Sequence, residues 1–196
     1  MDNDRRYPWP DKYIEQRRAS GANISDLERV LQDAKDEAPL QRLLGATPVL
    51  LRPLMRGGVD AWCFDRPSFG GELIPDFLLA CRFSSGLHWV YVELESPTAA
   101  PLNKAGRPSG KLVTALSQIG DWRIWLRENI AYARTHLGYR SIDAECHATV
   151  VIGRRSMIRT EHALKYRELS RLNVAVMTYD RLIEISSGSA WRDEEL

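Results

Sequence analysis

The 196-residue sequence is poor in cysteine: Cys63, Cys81 and Cys146 are odd in number, and two of them lie inside apolar runs. No pair has zinc-site spacing, and the pattern argues against a disulfide framework and for reduced thiols in a cytoplasmic protein. Long apolar runs are missing as well. The first twenty residues hold nothing of signal-peptide length and no later segment approaches a membrane span, so a soluble protein without a membrane partner is expected. Net charge is nearly absent, with 27 Lys and Arg against 26 Asp and Glu. A polyanionic partner is therefore neither advertised nor excluded, and the placement of charge has to decide. There is no internal repeat or low-complexity segment. The four histidines, His88, His136, His147 and His162, show no ligand spacing. The length suits one domain with an arm and leaves no room for a second catalytic domain.

What is present is concentrated in residues 71–97, GELIPDFLLACRFSSGLHWVYVELESP, two apolar runs joined by Ser-Ser-Gly and carrying Asp76, Glu93 and Glu95. Strands tolerate acids poorly, so acids in such runs need a solvent face or a purpose. Val90, Val92 and Leu94 alternate with Trp89, Tyr91, Glu93 and Glu95, which places both glutamates on one face of a strand. A hairpin with an even loop around Ser85-Gly86 puts Asp76 across from Glu95 and diagonal to Glu93. Carboxylates gathered at one end of a buried surface repel one another, and a divalent cation with oxygen ligands relieves that repulsion best.

Around this hairpin the chain reads as an arm over residues 1–20, one domain over 21–186 and a tail over 187–196. The arm is broken by Pro8 and Pro10 and is expected to be ordered by docking Tyr7, Trp9 or Tyr13, for instance on a second subunit. Helices are expected at 24–35, capped by Asn23 or by Ser25 with Glu28 in a capping box, and at 37–44, ending at Gly45. A short strand is expected at 59–64 and a long irregular connection at 96–110, of the length that usually serves function. The strongest helical periodicity covers 112–137. A strand at 148–152, a helix at 158–172, a strand at 174–177 and a closing helix at 179–185 imply a parallel pair with a right-handed crossover. Arg154, Arg155, Arg159, Lys165, Arg167 and Arg171 form a basic stretch suited to sequence-independent phosphate contacts.

The ordered set of a helical Glu, a strand Asp, Glu-x-(Lys or Glu) in the next strand and a long helix carrying Gln resembles the PD-(D/E)xK nuclease superfamily. Within it, Ile74-Pro75-Asp76-Phe77, Val92-Glu93-Leu94-Glu95-Ser96-Pro97, residues 102–109 (LNKAGRPS), Gln118-Ile119-Gly120-Asp121-Trp122, residues 150–155 (VVIGRR) and Met177-Thr178-Tyr179-Asp180 resemble the nuclease domain of the Shedu anti-phage defence proteins. The resemblance covers about residues 24–186. It implies an α/β fold with a restriction-endonuclease-like core, a mixed central sheet flanked by helices. It also implies Mg²⁺ or Mn²⁺, DNA as partner, a homo-oligomer (dimer or tetramer), and nicking or cleavage of DNA in defence against phage. By position, Asp76 and Glu93 become metal-binding carboxylates, Glu37 a supporting acid and Gln118 a helix residue reaching the site. The superfamily lysine should fall at position 95, where this chain has Glu95. Glu95 is then a third metal ligand, and Lys104 is the first candidate for the missing cation, Lys111 the second. Arg154, Arg155, Arg159 and Lys165 are the expected nucleic-acid contacts. The rival expectation is a pseudo-nuclease that binds nucleic acid or a partner protein without chemistry.

Overall fold

Along β3 (Gly86–Leu94) the alternating side chains divide the core in two. The structure, a computed structural model, describes residues 9–55, 57–71, 73–170 and 173–188, so Tyr7, Arg171 and the tail beyond 188 lie outside the described residues. Five strands make one sheet in the order β1 (Ala61–Asp65), β2 (Phe77–Phe83), β3, β4 (His147–Val151), β5 (Val174–Met177). The first two pairings are antiparallel and the last two parallel. The chain is thus α/β with a mixed sheet flanked by helices, as expected, and compatible with a restriction-endonuclease-like core.

Val90, Val92 and Leu94, with Phe77 and Leu79, face a cluster built from α1 (Gly21–Asp33), α2 (Ala38–Ala46), a 3-10 helix (Pro48–Met55) and α5 (Tyr179–Ser187). Trp89, Tyr91, Leu78 and Ala80 face Leu112, Ala115, Ile119, Trp122 and Leu126 of α3 (Gly110–Thr135). Residues at three- and four-residue spacing bury one stripe of that helix, as its periodicity requires. Ser109 caps it by accepting the Leu112 amide at 3.3 Å. The side chain of Asn129, whose backbone leaves helical geometry, donates to the Trp125 carbonyl at 2.9 Å and marks a kink.

Several boundaries differ from the expectation. α1 starts earlier because Ser20 and Asn23 form the capping box, the Ser20 hydroxyl taking the Asn23 amide at 3.2 Å and the Asn23 carbonyl oxygen taking the Ser20 amide at 2.8 Å. Ser25 and Glu28 lie inside the helix. α2 runs through Gly45, which is there for close approach: a Cβ would stand 2.6 Å from Asp65 Oδ2. The helix expected at 158–172 is reduced to 3-10 turns at Arg155–Met157 and Thr160–His162 and a short α4 (Ala163–Arg167). Its periodic Leu164 is 74 % exposed, so the segment has no continuous apolar stripe to bury, and tertiary packing is what sustains a helix of that length. The described part of the arm docks on its own chain. Trp9 meets Trp62, Phe64 and Trp89 edge-on at 5.2–5.8 Å, and the Ile14 amide donates to the Ala61 carbonyl at 2.8 Å along the outer edge of β1.

The hairpin turn falls on Ser84-Ser85, one residue earlier than expected, because Phe83 pairs with Gly86, which adopts φ 115°. The loop is even, so the faces are as expected, but the register shifts by two. Phe77 pairs with Val92, and the next position sets Asp76 opposite Glu93, with Glu95 on the diagonal.

Candidate active site

Asp76 and Glu93 share the α3 face of the sheet at the carboxyl end of β3, where β2 begins. The Leu94 amide donates to Asp76 Oδ2 at 2.8 Å, which fixes the aspartate against the neighbouring strand. Glu93 is 7 % exposed and its Oε2 is buried without a hydrogen-bond partner. A buried carboxylate oxygen in that condition is costly, and the strain shows in its proton affinity. Burial, then the charge of Asp76, pushes the Glu93 carboxyl up to about 8, with the charges of Glu95 and Glu37 adding to it. Burial also raises Asp76 to about 6, against the Leu94 amide and Arg66, which pull it down. Glu95 is raised by burial too, and Lys111 counters this from 3.4 Å.

The surroundings hold these acids from both sides of the sheet. Glu37 stands at the N-cap position of α2, without a capping hydrogen bond from its side chain, and contributes its charge to the fields at Asp76, Glu93 and Glu95. The turn before α2 is pinned to the segment after β3: the hydroxyls of Ser96 and Thr98 both donate to the Lys35 carbonyl, at 3.0 and 3.1 Å. From α5, the Tyr179 hydroxyl donates to the Glu95 carbonyl at 2.9 Å. Gln118 is half-buried two turns along α3 from Lys111, on the same stripe. Among the described residues no three His, Cys, Asp or Glu side chains form a group that could hold a metal ion unaided. Two facing carboxylates, one with an orphaned oxygen, nevertheless suit an ion that takes its remaining ligands from water and phosphate, as Mg²⁺ does.

A family model described as "Shedu protein SduA, C-terminal" matches residues 34–183, more than half of the chain. The chain belongs to this Shedu family. No curated protein matches it. Family membership supports a role in anti-phage defence, and the matched span of the Shedu domain contains Glu37, Asp76, Glu93, Glu95, Lys111 and Gln118.

In this Shedu domain the lysine beside the acids is Lys111, paired with Glu95, and Arg66 acts on Asp76, whereas Lys104 stands exposed on the loop between β3 and α3. Three of the expected nucleic-acid contacts are drawn into ion pairs within the chain. Arg154 is bidentate on Asp180 at 3.0–3.2 Å, Arg155 pairs with Glu184 and gives its amide to Asp180 at 2.6 Å, and Arg159 pairs with Glu161 at 2.6 Å. Lys165 donates to the Ala105 carbonyl at 3.5 Å. Arg66 and Thr98 were not singled out from the sequence, and Ser96 and Tyr179, though inside the family motifs, were given no role. Arg66 alone carries a backbone signal, a left-handed φ of 47° uncommon outside glycine, and no sequence pattern reveals that. No helix among the described residues is long and apolar enough to cross a membrane.

Proposed function

We propose that this Shedu domain is a metal-dependent DNA endonuclease of the PD-(D/E)xK superfamily, acting in anti-phage defence. The observation that carries the reading is the opposition of Asp76 and Glu93 with a buried, unpartnered Oε2 on the latter. Asp76 and Glu93 would hold Mg²⁺ or Mn²⁺, which when bound acidifies a water and offsets charge on the phosphate. The reaction adds that water's oxygen to phosphorus and breaks the bond to the leaving sugar oxygen, which takes up a proton. Lys111 supplies the ammonium that the superfamily places two residues after Glu93, reaching the same region from the first turn of α3. Glu95 holds that ammonium, so its share in metal binding competes with its hold on Lys111. A homo-oligomer is part of this reading. The test is incubation of supercoiled plasmid with Mg²⁺ or Mn²⁺, wild type beside Asp76→Ala. Relaxed or linear product from the wild type alone supports the reading, and equal products from both remove it.

A second reading, a pseudo-nuclease that binds nucleic acid or a partner protein, is favoured by Glu95 at the lysine position and its pairing with Lys111. Calorimetric titration with Mn²⁺ separates the two, since heat that disappears in Glu93→Gln supports the endonuclease and its absence in the wild type favours the binder.

A further inference from the structure

Residues 96–111, from the position after Glu95 to Lys111, contain three cations and no acid. This segment closes on itself as a finger. The Ser109 amide donates to the Pro101 carbonyl at 3.0 Å, Leu102 pairs with Pro108, and the Asn103 amide donates to the Arg107 carbonyl at 2.8 Å. The Asn103 side chain accepts the amides of Ala105 and Arg107 at 2.9 and 3.1 Å and fixes the tip. Gly106, at φ 70°, lies so close to the short helix of the next connection that a Cβ would stand 2.8 Å from the His162 ring and 2.9 Å from Lys165 Cδ. Lys165 returns the contact by donating to Ala105.

Cations far apart in sequence thereby come together: Lys104 and Arg107 from the finger and, through its contacts with Ala105 and Gly106, Lys165 from α4, with Arg167 two residues further along that helix. All four are exposed, and none has an ion-pair partner among the described residues, in contrast to Arg154, Arg155 and Arg159. This ridge is attached to the acid site at both ends, since it leaves from Glu95 and returns through Ser109, the cap of the helix bearing Lys111. Finger and α4 are fixed to each other before any ligand arrives, so little ordering has to accompany binding.

We propose that this ridge is the track for the phosphate backbone of duplex DNA leading to the acid site, with Lys104, Arg107, Lys165 and Arg167 as sequence-independent phosphate contacts. The inference rests on the endonuclease reading of Asp76 and Glu93. It assigns Lys104 to binding and leaves the role of the lysine beside the acids to Lys111.

The test uses the full chain in a Glu93→Gln background, so that bound duplex is not cut, and follows the anisotropy of a labelled duplex across a salt series. Lys104→Ala/Arg107→Ala and Lys165→Ala/Arg167→Ala are each compared with a charge-matched Arg29→Ala/Arg127→Ala control. Each ridge pair is expected to lower the slope of log affinity against log salt by about 2, close to 0.9 per lost phosphate contact, and to do so equally for duplexes of different sequence. The control keeps the parental slope. A ridge pair that keeps that slope, a control that loses as much, or no duplex binding by the parent overturns the ridge. Plasmid nicking and Mn²⁺ titration, run on the chain with Glu93 restored, make the failures distinguishable. Intact nicking with unchanged salt slopes overturns the ridge alone, whereas lost slopes in a chain that neither binds Mn²⁺ nor nicks overturn the endonuclease reading alone.

Discussion

Glu93 carries the largest electrostatic burden among the clustered acids, and its behaviour with pH follows from that. Its folded pKa, about 8, lies above the ordinary glutamate value of 4.5, so the neutral acid is favoured by folding. That contribution is complete below the unfolded pKa and is lost as pH rises through the folded one. In chelator, the wild-type melting temperature should therefore fall between pH 7 and pH 9. Glu93→Gln, which carries no charge to expose, should fall less, by a difference on the order of 1–3 kcal/mol. Parallel melting curves across that range would show that Glu93 does not titrate there. Lys111 makes the second prediction at this scale. Removal of one preorganised charge partner typically costs 10²–10³ in rate. Lys111→Ala should lose about that much nicking activity at saturating DNA, whereas Lys104→Ala should act through DNA affinity and recover at high DNA concentration. The reverse pattern in single-turnover rates would exchange the two assignments.

The first turn of α3 is the element on which both Lys111 and the base of the finger depend. Ser109 supplies the cap, and Ser109→Ala should cost about 1 kcal/mol. For a chain of this size that is a fall of about 2–4 °C in melting temperature, and calorimetry reads it directly. If the fall is absent while nicking drops, the hydroxyl acts on the site and not on the helix. The sheet edges show a similar economy of side chains. The edge of β1 is covered by Tyr13 and Ile14, while on β5 the Val176 amide donates to Ser170 Oγ at 3.0 Å and the Val176 carbonyl accepts from the Tyr166 hydroxyl at 3.4 Å. Unpaired edges invite association with other chains, and these contacts blunt both.

For the molecule as a whole, the proposed metal binding would be linked to folding, because the two facing carboxylates are brought together by the hairpin. Mn²⁺ at a hundredfold excess over its dissociation constant should stabilise the wild type by about 2.7 kcal/mol and leave Asp76→Ala unchanged. Differential scanning fluorimetry with and without Mn²⁺ measures this, and equal shifts in both proteins would place the ion elsewhere.

Much of this was legible in the sequence for a physical reason: period two and period 3.6 are local properties. The alternation around Glu93, the stripe of α3 and the parallel strands at 147–151 and 174–177 could be read without knowing what packs against them. The even loop put Asp76 on the face of Glu93, and the motifs around the acids, from residues 74–77 to 177–180, pointed to the Shedu family, to which the chain does belong. What only the tertiary structure decided is which charges meet. Register turns on a single glycine, Gly86, and that moved Asp76 from Glu95 to Glu93. Partner choice among cations depends on distances that no spacing encodes: Lys111 faces Glu95, Arg154 and Arg155 are spent on α5, and Lys165 reaches Ala105, next to Lys104, across sixty residues because Gly106 leaves room for the His162 and Lys165 side chains. Local pattern fixes faces, but electrostatics acts through space, and space is set by packing.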